Sequence, residues 1–157
     1  MSAAFRHSAG FGKRIEYWVV GLMLKEGMDV YLPLVDDNGI DAVVRRADGT
    51  FVEAQIKARS KKVVMGDAAL FATIDHERRE NYYFVFYSER LDTFWIMSSR
   101  EFIEEARQNK TGKNIGKRSI WFNGKRKNKE TGEYTEHCHA RFQKYVAKDF
   151  QRLARSP

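Results

Sequence analysis

The sequence predicts an α/β chain built around one mixed sheet, and three observations carry that expectation. Residues 11–25 have helical periodicity, residues 29–58 read as a meander of short strands, and Tyr82-Tyr83-Phe84-Val85-Phe86-Tyr87 is apolar at every position. A strand apolar on both faces belongs in the middle of a sheet covered on both sides. An interleaved order of helices and strands then gives the α/β class.

The first helix rests on Ile15, Trp18, Val19, Leu22 and Met23, which recur at i, i+3, i+4, i+7 and i+8. That spacing lines one helix face, and Gly27 is placed to stop it. The runs 29–34, 39–46 and 50–58 follow as strands, the last two joined by the hairpin signal Ala47-Asp48-Gly49. In the third run Val52, Ala54, Ile56 and Ala58 share one face, and Phe51, Glu53, Gln55 and Lys57 share the other. A helix-compatible stretch covers 67–77, the apolar strand covers 82–87, and another strand covers 93–97. Ser98-Ser99-Arg100-Glu101 has the form of a capping box opening a helix to about residue 108. Beyond it come a strand at 119–123 and turn signals at Asn123-Gly124 and Thr131-Gly132. A final amphipathic helix carries Phe142, Tyr145, Val146, Phe150 and Leu153. Residues 1–10 are expected to form a flexible N-terminus, and 11–157 a single domain.

The chain has 157 residues, 28 basic and 21 acidic, for a net charge of +7. With 43% hydrophobic residues it can bury a core, so a disordered basic tail is excluded. One cysteine, Cys138, excludes a disulfide framework and a cysteine-rich zinc fold. The eight-residue apolar run from Tyr17 to Leu24 is far short of the ~20 residues of a membrane span. Lys25-Glu26 follow it at once where a signal peptide would carry a cleavage site. A soluble, cytoplasmic protein with no membrane partner is the expectation.

The charge is concentrated. Residues 107–129 hold nine basic side chains and no acidic one, which leaves 19 basic against 21 acidic elsewhere. Lys110, Lys113, Lys117, Arg118, Lys125, Arg126, Lys127 and Lys129 are therefore candidate phosphate contacts, with Arg107 at the segment's start. Lysine and arginine displace condensed counterions from nucleic acid, and Trp121 and Phe122 in the same segment offer faces on which bases stack. A solvated hairpin whose lysines serve solubility is the plainer alternative.

A chemical constellation lies on the polar side of the meander. Asp41 sits early in the second strand, and Gln55 and Lys57 share a face of the third. Glu16, beside the apolar stripe of the first helix, can lean over the same sheet edge, although it is also spaced to pair with Lys13. Two carboxylates and an amide oxygen suit Mg²⁺, a hard cation with oxygen ligands, with Mn²⁺ able to substitute. Such a cation polarises a phosphate and acidifies water, and a neighbouring lysine neutralises charge developing on the phosphoryl oxygens.

Val35-Asp36-Asp37-Asn38-Gly39-Ile40-Asp41, followed by Glu53-Ala54-Gln55-Ile56-Lys57, resembles the metal-binding motif of the PD-(D/E)XK nuclease superfamily. There an Asp on one strand pairs with (Asp/Glu)-x-Lys on the next, and a helical Glu often completes the set. The resemblance spans about residues 11–60 by motif and extends to 98 by order of elements. It implies a restriction-endonuclease-like core of α-β-β-β-α-β order and a metal-dependent endonuclease acting on DNA. The matching positions are Asp41, Gln55, Lys57 and Glu16, with Glu16, Asp41 and Gln55 as metal ligands. In size the chain is similar to archaeal Holliday-junction resolvases. Gln55 stands where an acid is usual, a variant also carried by intron-encoded homing endonucleases, and no Pro immediately precedes Asp41. A neutral ligand weakens cation binding, which Glu53 on the same face could offset. Three other readings stay open: a catalytically inactive nucleic-acid-binding module on this fold, a nuclease directed at RNA, and a scaffold with no nucleic-acid role. A homodimer suits cleavage of two strands.

Other motifs are discounted. Asp36 and Asp37 read as loop residues, and His76 as part of a solvated helix end. In His137-Cys138-His139 adjacent side chains alternate sides, and no second cysteine is present for zinc. Gly10-Phe11-Gly12-Lys13 lacks the spacing of a phosphate loop.

Overall fold

The computed structural model describes residues 5–7, 10–35 and 38–155. Its centre is a six-stranded mixed sheet in the order β1-β2-β3-β5-β6-β11. The strands are β1 (Asp29–Tyr31), β2 (Ala42–Arg45), β3 (Phe51–Arg59), β5 (Tyr82–Ser88), β6 (Thr93–Ser98) and β11 (Val146–Ala147). Only β3 and β5 run parallel; every other neighbouring pair is antiparallel. The expected α/β class with a central mixed sheet flanked by helices is present.

Helix α1 (Phe11–Lys25) lays Ile15, Val19 and Met23 against one face of this sheet, together with Phe150 and Leu153 of the C-terminal segment. It ends as its sequence requires. Gly27 takes a φ of +83°, donates to Leu24, and lets Met28 donate back to the carbonyl of Met23. That is the paired Schellman arrangement, with Met28 and Met23 both buried behind it. Of the expected flexible N-terminus, residues 5–7 are described. The Phe5 ring packs against Trp18, and His7 hydrogen-bonds Glu89.

The opposite face is covered by α2 (Ser99–Glu105), a 3₁₀ helix (Ala140–Tyr145) and a small sheet. That sheet joins β4 (Leu70–Ile74), β8 (Arg118–Trp121) and β7 (Arg107–Gln108). Its core is aromatic: Phe71, Phe84, Phe86, Trp95, Phe102, Phe122 and Phe142. The double-sided apolar run is now explained. Val85 and Tyr87 of β5 enter the α1 side, and Phe84 and Phe86 enter the other. The capping box opens α2 as expected, with Ser98 accepting from the Glu101 N–H and Glu101 accepting from that of Ser98. The helix stops at Glu105 because Arg107 and Gln108 pair with β8 instead.

Three expectations are corrected. Residues 67–77 are not helical; strand β4 occupies them. A register shift against β8 lets Phe71 and Ile74, three residues apart, sit opposite Ile120 and Arg118, two apart. Both apolar residues are buried, so the bulge imitates helical spacing. Asn123-Gly124 is not a turn but the start of β9 (Asn123–Lys127), which pairs with β10 (Tyr134–Cys138). Asn123 is buried, accepting from the Ala69 N–H and donating to Glu136. Gly124 is required by close approach, since a Cβ there would lie 2.9 Å from the His139 ring. The C-terminal helix is divided into the 3₁₀ turn, β11 and α3 (Gln151–Ala154). The open edge of β6 takes Val146 and Ala147 as strand partners, while Phe142, Tyr145, Phe150 and Leu153 keep their burial.

Among the described residues no helix is long and apolar enough to cross a membrane.

Candidate functional site

Asp41, Gln55 and Lys57 lie close to the point where β2 leaves the sheet, but they line three separate openings. Asp41 lies one residue before β2, and its backbone N–H still donates to Ala54 of β3 at 2.9 Å. Its carboxylate accepts the Ile56 N–H at 2.7 Å, a backbone donor beside which β2 no longer runs. The Asp41 carboxylate is thus fixed beside the central residue of Gln55-Ile56-Lys57. Ala42 is opposite Ala54 in the β2–β3 register, so Asp41 and Gln55 are the next cross-strand neighbours.

Glu16 reaches the same place from α1. It lines a small cavity of about 50 Å³ with Asp41, Lys13, Tyr17, Val20, Leu32, Pro33 and Ile40. Lys13 pairs with Glu16 at 2.8 Å. The Glu16 carboxylate, by hydrogen bond and charge, and Asp41 beyond it raise the Lys13 ammonium above its ordinary pKa. The spot therefore favours positive charge. Its oxygen donors are hard, which fits Mg²⁺ or Mn²⁺ better than a soft metal. Among the described residues no three His, Cys, Asp or Glu side chains converge, and this cavity offers the two carboxylates of Glu16 and Asp41.

Gln55 opens on the other side, into a polar cavity of about 500 Å³ shared with Gly39, His76, Arg78, Arg79 and Tyr82. The Tyr82 hydroxyl stands 2.6 Å from the Gly39 carbonyl oxygen and 3.1 Å from Gln55 Oε1. A hydroxyl has one proton, and the shorter contact claims most of it. Turning the amide would put its N–H on the hydroxyl oxygen and release the carbonyl oxygen. Lys57 lines a third opening with Leu70, Phe71 and Ile74 of β4.

Glu53 is not a replacement for the missing acid. It pairs with Arg79 at 2.8 Å, and Arg79 also donates to Asn38 and lies 4.4 Å over the Tyr82 ring. His76 is likewise not on a solvated helix end. Its ring stacks on Tyr82, its Nε2 is 2.7 Å from the Ser99 hydroxyl, and burial with Arg79 and Arg118 nearby lowers its pKa to about 4. It is a neutral structural histidine near pH 7. Asp36 and Asp37 lie outside the described residues.

Lys13 was expected from its spacing to pair with Glu16, as it does, but Tyr82 and Arg79 were not singled out from the sequence. Tyr82 is masked by the apolar run that it begins, and Arg79 by the charged stretch 75–80. A polar tip at the end of a buried strand was the one available hint.

The basic segment divides into three parts. Lys110, Lys113 and Lys117 lie in the loop between β7 and β8, and Arg118 and Trp121 on β8. Lys125, Arg126 and Lys127 are on β9, with Lys129 in the hairpin loop. Arg118 and Lys117 are half-buried and the other lysines and Arg126 are exposed. Lys125 and Lys127 flank the Tyr134 ring, with ammonium groups 4.9 and 5.9 Å from its centre. Trp121 is 47% exposed, its indole N–H held by the Gly66 carbonyl at 2.7 Å. Phe122 is corrected: it is wholly buried, stacked on Trp95 at 4.5 Å, and offers no face to a base. His137 and His139 pack edge to face at 5.5 Å, and Cys138 is exposed.

The solved structure of a bacterial homing endonuclease, I-Ssp6803I, has a similar fold. It is 19% identical over 72% of this chain and 89% of that one, with a TM-score of 0.51. The likeness is one of fold and agrees with a restriction-endonuclease-like core. No protein-family model and no curated protein matches the sequence.

Proposed function

We propose that this protein is a metal-dependent endonuclease that hydrolyses DNA phosphodiester bonds through a PD-(D/E)XK-type site in its Gln-x-Lys form. The observation that carries the proposal is the bond between the Asp41 carboxylate and the Ile56 N–H, which sets Asp41 against Gln55 and Lys57. Glu16, Asp41 and the amide oxygen of Gln55 would hold Mg²⁺, with Mn²⁺ as a substitute. Bound there, the cation would polarise the phosphate and make a nearby water more acidic. Lys57 orients that water against phosphorus and offsets the charge that builds on the phosphoryl oxygens. The water oxygen bonds to phosphorus and gives up a proton to solvent, while the bond from phosphorus to the sugar oxygen breaks and that oxygen leaves as a hydroxyl, taking a proton from solvent. Tyr82 sets the plane of the Gln55 amide, and the exposed Arg78 on the same cavity wall, paired with Glu80 at 3.3 Å, would steady the substrate strand. The lysines and arginines of 107–129 supply phosphate affinity. The homing endonuclease with this fold supports the nuclease class.

A second reading, a non-catalytic nucleic-acid-binding module, is favoured by the presence of only two carboxylates among the proposed ligands. One experiment separates them. Purified protein with Mg²⁺ or Mn²⁺ is offered plasmid, single-stranded and branched DNA, and RNA in competition. Metal-dependent DNA cleavage that Asp41→Ala removes is the expected result. Salt-sensitive binding with every DNA left intact supports the binding module, and preferential RNA cleavage reassigns the substrate. A second copy of the chain would serve cleavage of both strands.

A further inference from the structure

A cavity of about 580 Å³ that Asp41 does not line is walled in part by Arg107 and β8 of the basic segment. Its apolar floor is formed by Leu70, Ile120, Trp121 and Phe142. The indole of Trp121 is half exposed and cannot turn freely, because its N–H is held by the Gly66 carbonyl. Arg107 and Arg141 stand on the rim, both exposed, with the Arg141 guanidinium 4.7 Å from the Phe142 ring centre. Glu105 forms part of the wall; its buried Oε2 makes no hydrogen bond but lies 3.6 Å from the Arg141 guanidinium, with which it forms an ion pair. An apolar lining with a half-exposed indole, and a rim whose two guanidinium groups outnumber one carboxylate, suit a planar ring joined to an anion, the form of a nucleotide. The Trp121 face would stack on a base, and Arg107, with Arg141 held at the rim by Glu105, would attract the phosphate outside.

Leu70 connects this cavity to the proposed active site, since it lines both this cavity and the opening that holds Lys57. We propose that the cavity receives one unpaired nucleotide of the substrate strand, its base on Trp121 and its phosphate between Arg107 and Arg141, beside the strand segment at Lys57. The choice of nucleic acid as ligand rests on the nuclease reading, but the proposal does not require that the protein cut.

The test uses the full chain carrying Asp41→Ala and a single-stranded oligothymidylate with one central 2-aminopurine. Trp95 is buried and Trp18 is packed among Phe5, Tyr87 and Phe94, so Trp121 is the tryptophan that a ligand can reach. Binding should quench tryptophan and 2-aminopurine emission together. In the added Trp121→Phe variant, which keeps an aromatic face, the protein signal should be lost and affinity largely retained. Trp121→Ala should weaken binding by about tenfold, as expected for one stacked base. Arg141→Ala should weaken it and flatten its salt dependence while leaving the Trp121 signal. Salt-dependent binding with no quench and no loss in Trp121→Ala overturns the pocket and leaves the nucleic-acid reading standing. Absence of any binding at low salt overturns both. Tighter binding of free thymidine monophosphate than of the oligonucleotide also overturns the proposal, because the occupant is then a free nucleotide.

Discussion

The β3 edge and the β9–β10 hairpin are built in opposite ways. Around β3 three of the four proposed functional groups have a neighbour that positions them: Asp41 the Ile56 N–H, Gln55 the Tyr82 hydroxyl, and Glu16 the Lys13 ammonium. On the hairpin Lys125, Arg126, Lys127 and Lys129 are all exposed, and the aromatic ring of Tyr134 is the neighbour that the first and third share. A reaction centre demands position, because a misplacement of about 1 Å can cost two orders of magnitude in rate. Phosphate affinity demands charge, which acts at a distance and tolerates motion. The proposed reaction centre lies in the body of the chain outside 107–129, slightly acidic overall, and the proposed phosphate contacts lie in the +9 segment.

The sharpest way to break the comparison is Asp41→Ala. Cleavage should fall by more than about 100-fold, beyond the loss usual for a mere outer-shell group, while DNA affinity stays unchanged in a gel-shift titration. An equal fall in affinity would merge the two regions. Phe122→Ala tests whether the basic segment is anchored in the core. Its ring is wholly buried on Trp95, so denaturant unfolding should show a loss of about 3–5 kcal/mol. A surface hairpin residue would cost almost nothing.

Lys125→Gln with Lys127→Gln should lower the slope of log affinity against log salt by about 1.8, near 0.9 per duplex phosphate contact, with turnover at saturating DNA unchanged. Gln55→Glu adds the charge that the site lacks and should tighten Mn²⁺ binding, measured by calorimetry, by about an order of magnitude. The smallest effect concerns pH. The folded pKa of His76, lowered to about 4 from 6.5, means that the unfolded chain binds its proton first. Stability is then complete above pH 6.5 and declines as pH falls toward 4. His76→Gln should flatten that part of the thermal-melting profile.

Much of this architecture is legible in the sequence because local rules and tertiary demands agree there. The α1 stripe, Gly27, the β3 alternation and the Ser98–Glu101 capping box each need only a few neighbouring residues to define them. The failures lie where distant pairing prevails. Strand β4 has helical spacing only because a bulge against β8 adds a residue, and Asn123-Gly124 lost its turn to packing against Ala69 and His139. Residues 140–154 kept their apolar spacing but surrendered one helix to the open edge of β6.

The sequence by itself determined the chemical inventory of this protein: two carboxylates, an amide and a lysine near one meander, and a segment of nine positive charges with none negative. Residue type and spacing suffice for that, because charge and hydrogen-bonding capacity belong to side chains. Only the tertiary structure decided which of these groups meet. It placed Asp41 on the Ile56 N–H, gave Glu53 to Arg79, buried Phe122 and left Trp121 at the mouth of a cavity. Those outcomes depend on contacts between residues far apart in the chain, where packing chooses among side chains that the sequence makes equally eligible.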